Sequence, residues 1–168
     1  AIDAIVDLDL VNSEITGYVL NLYEKGCSSI LLYGIVNYLI FLPDSEQYID
    51  ILLKEYIDSA KMNRDYSTNI RLRIKFYLER LNDYDSICKV INAFSDYEEH
   101  YSCDKDVFES IIKNAIKLYK AGMYDIFTVV YKAIINSERK YNSEFRRYCK
   151  MFFEKTDTLK NAFLLLAE

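Results

Sequence analysis

Residues Ser29 to Pro43 read SILLYGIVNYLIFLP, the most apolar run in the chain, and the fold turns on whether it enters a membrane, a partner or the protein's own core. Pro43 stops it as a helix, because the residue before a proline is pushed out of the α region. That leaves about 13 residues, roughly 20 Å at 1.5 Å per residue. A bilayer crossing needs about 20 residues to span roughly 30 Å. The run holds no Lys or Arg, so it also lacks the basic face of a helix lying on a membrane. It is therefore expected to be a central helix covered on most sides, each large side chain contributing about 1.5 to 3 kcal/mol on burial. Gly34 then permits close approach of a neighbour, and Tyr33 and Tyr38 send their hydroxyls to a polar partner or the edge.

Amphipathic helices flank this run. Asn12 can cap a helix over 13–25 that ends at Gly26, a residue suited to the left-handed C′ position. Asp44 with Gln47 three residues on resembles a capping box ahead of YIDILLKEYI, and Thr68 can cap NIRLRIKFYLERL, with Ile70, Ile74, Tyr77 and Leu81 along one stripe. Asp83 and Asp104 can cap two further helices, the second closed by Gly122. MYDIFTVVYKAII, SEFRRYCKMFFEK and TLKNAFLLLA complete the set. The expectation is an all-α fold of about nine helices stacked as antiparallel hairpins, a short α-solenoid or compact bundle, forming one domain over 1–168. The 168 residues suit a single core, and 4 Gly with 1 Pro are too few for an architecture of many strand turns. An opening Ala1 and an apolar C-terminal NAFLLLAE suggest a domain excised from a longer chain, or a processed one.

Tyr84, Asp85, Val90 and Ala93 recur as Tyr124, Asp125, Val130 and Ala133, an offset of 40. Helical pairs beginning near 13, 45, 84 and 123 are about 32 to 39 residues apart, a period that marks stacked hairpins. Around the second match the chain resembles tetratricopeptide repeats, with Gly122, Tyr124 and Tyr131 where that family places glycine and aromatics. Phe127 and Ile134 stand where it places small residues, a bulk that HEAT and armadillo hairpins accommodate. A further stretch, VNYLIFLPDSEQYIDILLKEY followed by NIRLRIKFYLERL, resembles the N-terminal helical module of Ras-family exchange factors through Phe41, Pro43, Leu52, Leu53 and Ile70 to Arg73. It lacks that module's tryptophan near Leu81. The resemblance implies a noncatalytic supporting role.

No chemistry converges. His100 is the sole histidine; with Cys103 it falls short of the four ligands of a zinc site, and the four cysteines form no CxxC pair. No metal or cofactor is expected, and reduced thiols point to a cytoplasmic or nuclear protein. Glu46, Asp50, Glu55 and Asp58 read as a solvated helix face, and no phosphate-cradling glycine loop occurs. The formal net charge of −5 opposes binding to nucleic acid or anionic lipid by the surface as a whole.

Two basic clusters remain. Arg71 and Lys75 stand four residues apart, and Arg139, Lys140, Arg146, Arg147 and Lys150 interleave with Tyr141 and Tyr148. These nine residues are the candidate partner-binding set. The reading is a noncatalytic adaptor, not an enzyme, that binds a peptide or helix of another protein; a homo-oligomer is compatible with it. One alternative is a viral helical bundle that sequesters host signalling or cell-death factors, suggested by the wealth of Tyr, Ile, Lys and Asn that AT-rich genomes favour. The other is an RNA-binding helical repeat using the cluster at 139–150, where cations and aromatics could grip phosphates and stack bases. The acidic balance disfavours nucleic acid.

Overall fold

The computed structural model describes residues 12–61, 65–97 and 104–157. Among them lie eight α-helices and no strand: α1 (Ser13–Glu24), α2 (Ser29–Phe41), α3 (Ile49–Lys61), α4 (Asp65–Leu78), α5 (Tyr84–Ser95), α6 (Asp104–Lys120), α7 (Ile126–Arg139) and α8 (Ser143–Thr156), with a 3₁₀ turn over Ser45–Tyr48. The all-α expectation holds with eight helices rather than nine. The ninth, expected from TLKNAFLLLA, lies outside the described residues, as do His100 and Cys103. No helix among the described residues is long and apolar enough to cross a membrane. The chain groups into two compact units, Ala1–Tyr77 and Leu78–Glu168.

In the first unit, Gly34 to Leu39 of α2 are buried without interruption. Six consecutive buried residues turn through every side of a helix, so α2 is enclosed all round at its centre. Only its ends surface, at Ile30 and Phe41. The capping expected for α1 is present: the Asn12 side chain accepts from the Ile15 amide at 2.9 Å, and Gly26 takes φ 81°. Tyr38 is wholly buried and its hydroxyl meets Thr16 Oγ1 at 2.8 Å, while the Tyr33 hydroxyl accepts from Arg73 Nε at 3.5 Å.

Two helix starts differ from expectation. Asp44 has φ −109° and ψ 35° rather than an extended backbone, so its carboxylate does not cap. It accepts instead from Gln47 Nε2 at 2.9 Å, and a 3₁₀ turn precedes α3. Helix α4 opens at Asp65, three residues before Thr68.

In the second unit α5 packs on α7 and α6 on α8, and the sequential partners α5–α6 and α7–α8 also touch. That is the contact pattern of two stacked hairpins; Val90 and Val130, one pair related by the offset of 40, are both fully buried. Phe94, Phe108 and Phe145 form the centre, with ring centroids 4.9 to 5.9 Å apart and planes steeply inclined. Such edge-on geometry adds roughly 0.5 to 1.5 kcal/mol per pair beyond area burial. Asp83 caps α5 by accepting from the Ser86 amide at 2.8 Å.

Candidate functional site

The first basic cluster does not form a surface. Arg71 is buried at 8% exposure, donates from Nη1 to the Tyr56 carbonyl at 2.8 Å, and lays its guanidinium over the Tyr56 ring at 4.1 Å. A spacing of four puts it on one helix face with Lys75, but a guanidinium keeps its donors satisfied in the interior by stacking on an aromatic and bonding a carbonyl, which an ammonium does less well. Lys75 is half-buried and has partners within the protein.

A carboxylate read as solvated is also internal. Glu55 is 6% exposed; its Oε1 accepts from the Tyr23 hydroxyl at 2.6 Å and from Lys54 Nζ at 3.2 Å. Lys54 also pairs with Asp58 at 3.1 Å. Desolvation first, and then the bond to Glu55, push the Tyr23 phenol up to about 12. The Asp58 bond, reinforced by Glu55, holds the Lys54 ammonium above its ordinary range. Burial, and then the Glu55 charge, raise the Cys27 thiol, which keeps it in its unreactive form. This set locks α1 to α3; it offers no poised base or nucleophile. Among the described residues no group of three or more His, Cys, Asp or Glu could hold a metal ion.

The second cluster is gathered at the corner between α7 and α8. Arg146 pairs with Glu138 at 3.3 Å, and Arg147 with Glu144 at 3.2 Å, the latter also reached by Lys105 of α6 at 3.5 Å. The Arg147 guanidinium lies 5.0 Å from the centroid of the Tyr148 ring, and that ring leans on Phe108. Lys140 is half-buried with partners of its own. Arg139, Tyr141 and Lys150 are exposed. Seven of the nine candidate residues thus fall on α7, α8 and their junction, but partial neutralisation leaves fewer unpaired cations than a count of the sequence gives.

Tyr141 is the unusual member. Helix α7 ends with the Asn142 amide donating to the Ser137 carbonyl at 2.9 Å and the Tyr141 amide to the Glu138 carbonyl at 3.2 Å, the double closure that normally places glycine at the C′ position. Helix α6 ends the same way, with Met123 bonded to Leu118 and Gly122 to Tyr119, and there the C′ residue is glycine, φ 98°. At α7 it is tyrosine, with φ 57° and 90% exposure. A bulky side chain in the left-handed region costs roughly 1 to 2 kcal/mol, and no burial of the ring offsets it.

Asn142, which the sequence reading passed over, holds the corner. It is fully buried, caps α8 by accepting from the Phe145 amide at 3.1 Å, and donates to the carbonyls of Phe94 and Tyr97 at 3.2 and 2.9 Å. Its signal in the sequence was modest: an Asn followed by Ser and Glu ahead of an amphipathic run, which marks a cap but not a clamp.

An open pocket of about 400 Å³ lies in the first unit beside the start of α1, with Ser13, Thr16, Asp44 and Tyr48 among its lining residues. Its Thr16 hydroxyl is already engaged by Tyr38 and the Asn12 carbonyl. Comparison of the chain with protein-family models, with curated proteins and with solved structures returned no match.

Proposed function

We propose that the protein is a noncatalytic interaction module whose second unit, through the corner carrying Arg139, Tyr141 and Lys150, binds a peptide or helix of a partner protein. The observation that carries this reading is Tyr141, an aromatic ring fully presented to solvent at a backbone position where glycine would be less costly. Strained residues retained at exposed positions concentrate where side chains serve recognition, and tyrosine with arginine leads among residues that anchor interfaces. Pairing of Arg146 and Arg147 with Glu138 and Glu144 lowers the charge available for phosphates, which weighs against the RNA alternative.

The test places a photo-crosslinking amino acid at position 141 of the full chain, with position 113 on the exposed side of α6 as control. Adducts with one protein from position 141, competed by unmodified protein but not by its Tyr141→Gly variant, support the reading. Equal adducts from both positions, or RNA adducts whose yield collapses with salt, overturn it.

A further inference from the structure

The offset of 40 permits a comparison of the same helix face at two places in the second unit. On α5, Ile87, Ile91, Phe94 and Ser95 are buried. Their counterparts on α7 are Phe127, Tyr131, Ile134 and Ile135; Phe127 and Ile134 are half-buried, Tyr131 is 53% exposed and Ile135 is 37% exposed. The residues on α7 are no less apolar than those on α5, yet they stay open. Tyr124, 65% exposed in the turn before α7, leans its ring on Tyr119 of α6. Phe127 and Tyr131 stack with parallel rings 6.3 Å apart, which fixes the ring of Tyr131 in place without covering it. A pre-set aromatic surface of this kind lowers the entropy lost on binding.

Two cations and one acid of α7 stand beside this face. Lys132 and Arg139 are exposed and seven residues apart, hence on one flank of the stripe. Neither has an ion-pair partner among the described residues. Glu138, the sole acid within α7, is engaged by Arg146 at 3.3 Å, and Asp125 stands before the helix begins. A chain of net charge −5 thus carries an apolar stripe with a basic edge.

We infer that the outer face of α7 docks an amphipathic helix of a partner protein whose apolar side seats on Tyr131 and Ile135 and whose adjoining edge carries Asp and Glu opposite Lys132 and Arg139. This rests on the interaction-module reading and names the partner's chemistry. Helix α7 is about 21 Å long, enough for three turns of such a partner, with anchors spaced three and four residues apart.

The test uses the full chain and two labelled synthetic helical peptides with the same leucine stripe, one flanked by Glu and one by Lys, measured by fluorescence anisotropy. The Glu-flanked peptide is expected to bind at least about tenfold more tightly, with the margin shrinking as salt screens the charges. The double variant Lys132→Glu/Arg139→Glu should reverse that preference. The variant Tyr131→Ser/Ile135→Ser should weaken both peptides by about thirtyfold, the loss expected of central anchors, while keeping the helical circular dichroism of the parent. Equal affinity for the two peptides, binding untouched by the serine variant, or no binding at all overturns the inference. So does a concentration-dependent dimer in sedimentation that the serine variant abolishes, since the face would then belong to a second copy. These outcomes are separable from crosslinking at position 141: specific adducts there with peptide failure here would leave the interaction reading intact and remove α7 as its docking face.

Discussion

The two units solve the same problem, holding amphipathic helices together, with different bonds. In the first, a largely apolar helix is enclosed at its centre and polar tips find partners inside: Tyr38 on Thr16, Tyr23 on Glu55, and Arg71 on the Tyr56 carbonyl. In the second, phenyl rings meet edge to face and two asparagines close backbone carbonyls, Asn142 at the end of α5 and Asn114 on Leu81 at 2.6 Å. Tyrosine in a core brings an obligatory donor with it, and phenylalanine does not. The first unit is therefore specified by polar pairings of tyrosine, glutamate and arginine, and the second by shape and by neutral amides.

The largest effect is expected from Ile35→Asp in α2. Ile35 is fully buried in the enclosed middle of the helix, and an unpaired carboxylate there costs more than the roughly 4 to 5 kcal/mol at which a substitution is exceptional. Loss of hydrogen-exchange protection across 29–41 would bear this out; a variant retaining parental protection would show that α2 is not the organising element. Second is Phe108→Ala, which removes the ring shared by Phe94, Phe145 and Tyr148 and should cost about 3 to 5 kcal/mol by chemical denaturation. A cost below about 1 kcal/mol would mean that the phenyl cluster is not what holds the second unit. Third is Asn142→Ala, which deletes a cap worth about 1 kcal/mol and two buried amide bonds of about 1 kcal/mol each. Asn142→Asp should keep the cap but set a buried carboxylate oxygen against the Phe94 and Tyr97 carbonyls, and so should cost at least as much as Asn142→Ala.

These ranks also explain what was legible in the sequence. The apolar run, the caps at Asn12 and Asp83 and the glycine ends were readable because each depends on residues within a few positions of one another. The burial of Glu55 and Arg71 was not, because helical spacing says which face a residue occupies and not what stands opposite it. Glu55 needs Tyr23, 32 residues away, and Arg71 needs the Tyr56 carbonyl, 15 away. Asp44 failed as a cap for a local reason: its backbone angles, set by the turn after Pro43, direct its carboxylate to Gln47 instead. In the candidate site the sequence counts charges without their partners. It includes Tyr141 among the candidates but not its positive φ, which composition does not encode.

The Tyr141 position separates stability from recognition within the second unit. Tyr141→Gly relieves a left-handed tyrosine and should raise stability by about 1 kcal/mol, offset in part by the freedom glycine gains in the unfolded chain. An unchanged or lowered denaturation midpoint would mean that the ring contributes packing its exposure does not suggest. No such substitution is open in the first unit, where the tyrosines that matter are bonded inward.

The smallest effect tests the contrast itself. Tyr23 has its phenol pushed up to about 12 by desolvation and by Glu55, whose carboxylate favours a neutral hydroxyl that can donate to it. A raised folded value means that the neutral form is the one stabilised. Its contribution is therefore complete below the unfolded tyrosine value of about 10 and is lost as pH rises from there through the folded value. Tyr23→Phe should be less stable than the parent at neutral pH, and the gap should close between about pH 10 and pH 12. Subtracting the variant's curve from the parent's cancels the other tyrosines, including Tyr48 and Tyr84, which are also raised, chiefly by burial. Because Tyr23 is only half-buried, solvent screening keeps this gap well below the cost of Asn142→Ala. A gap that stays constant to pH 12 would locate the loss in packing of the ring rather than in its bond to Glu55, and that pairing would then no longer set the first unit apart from the second.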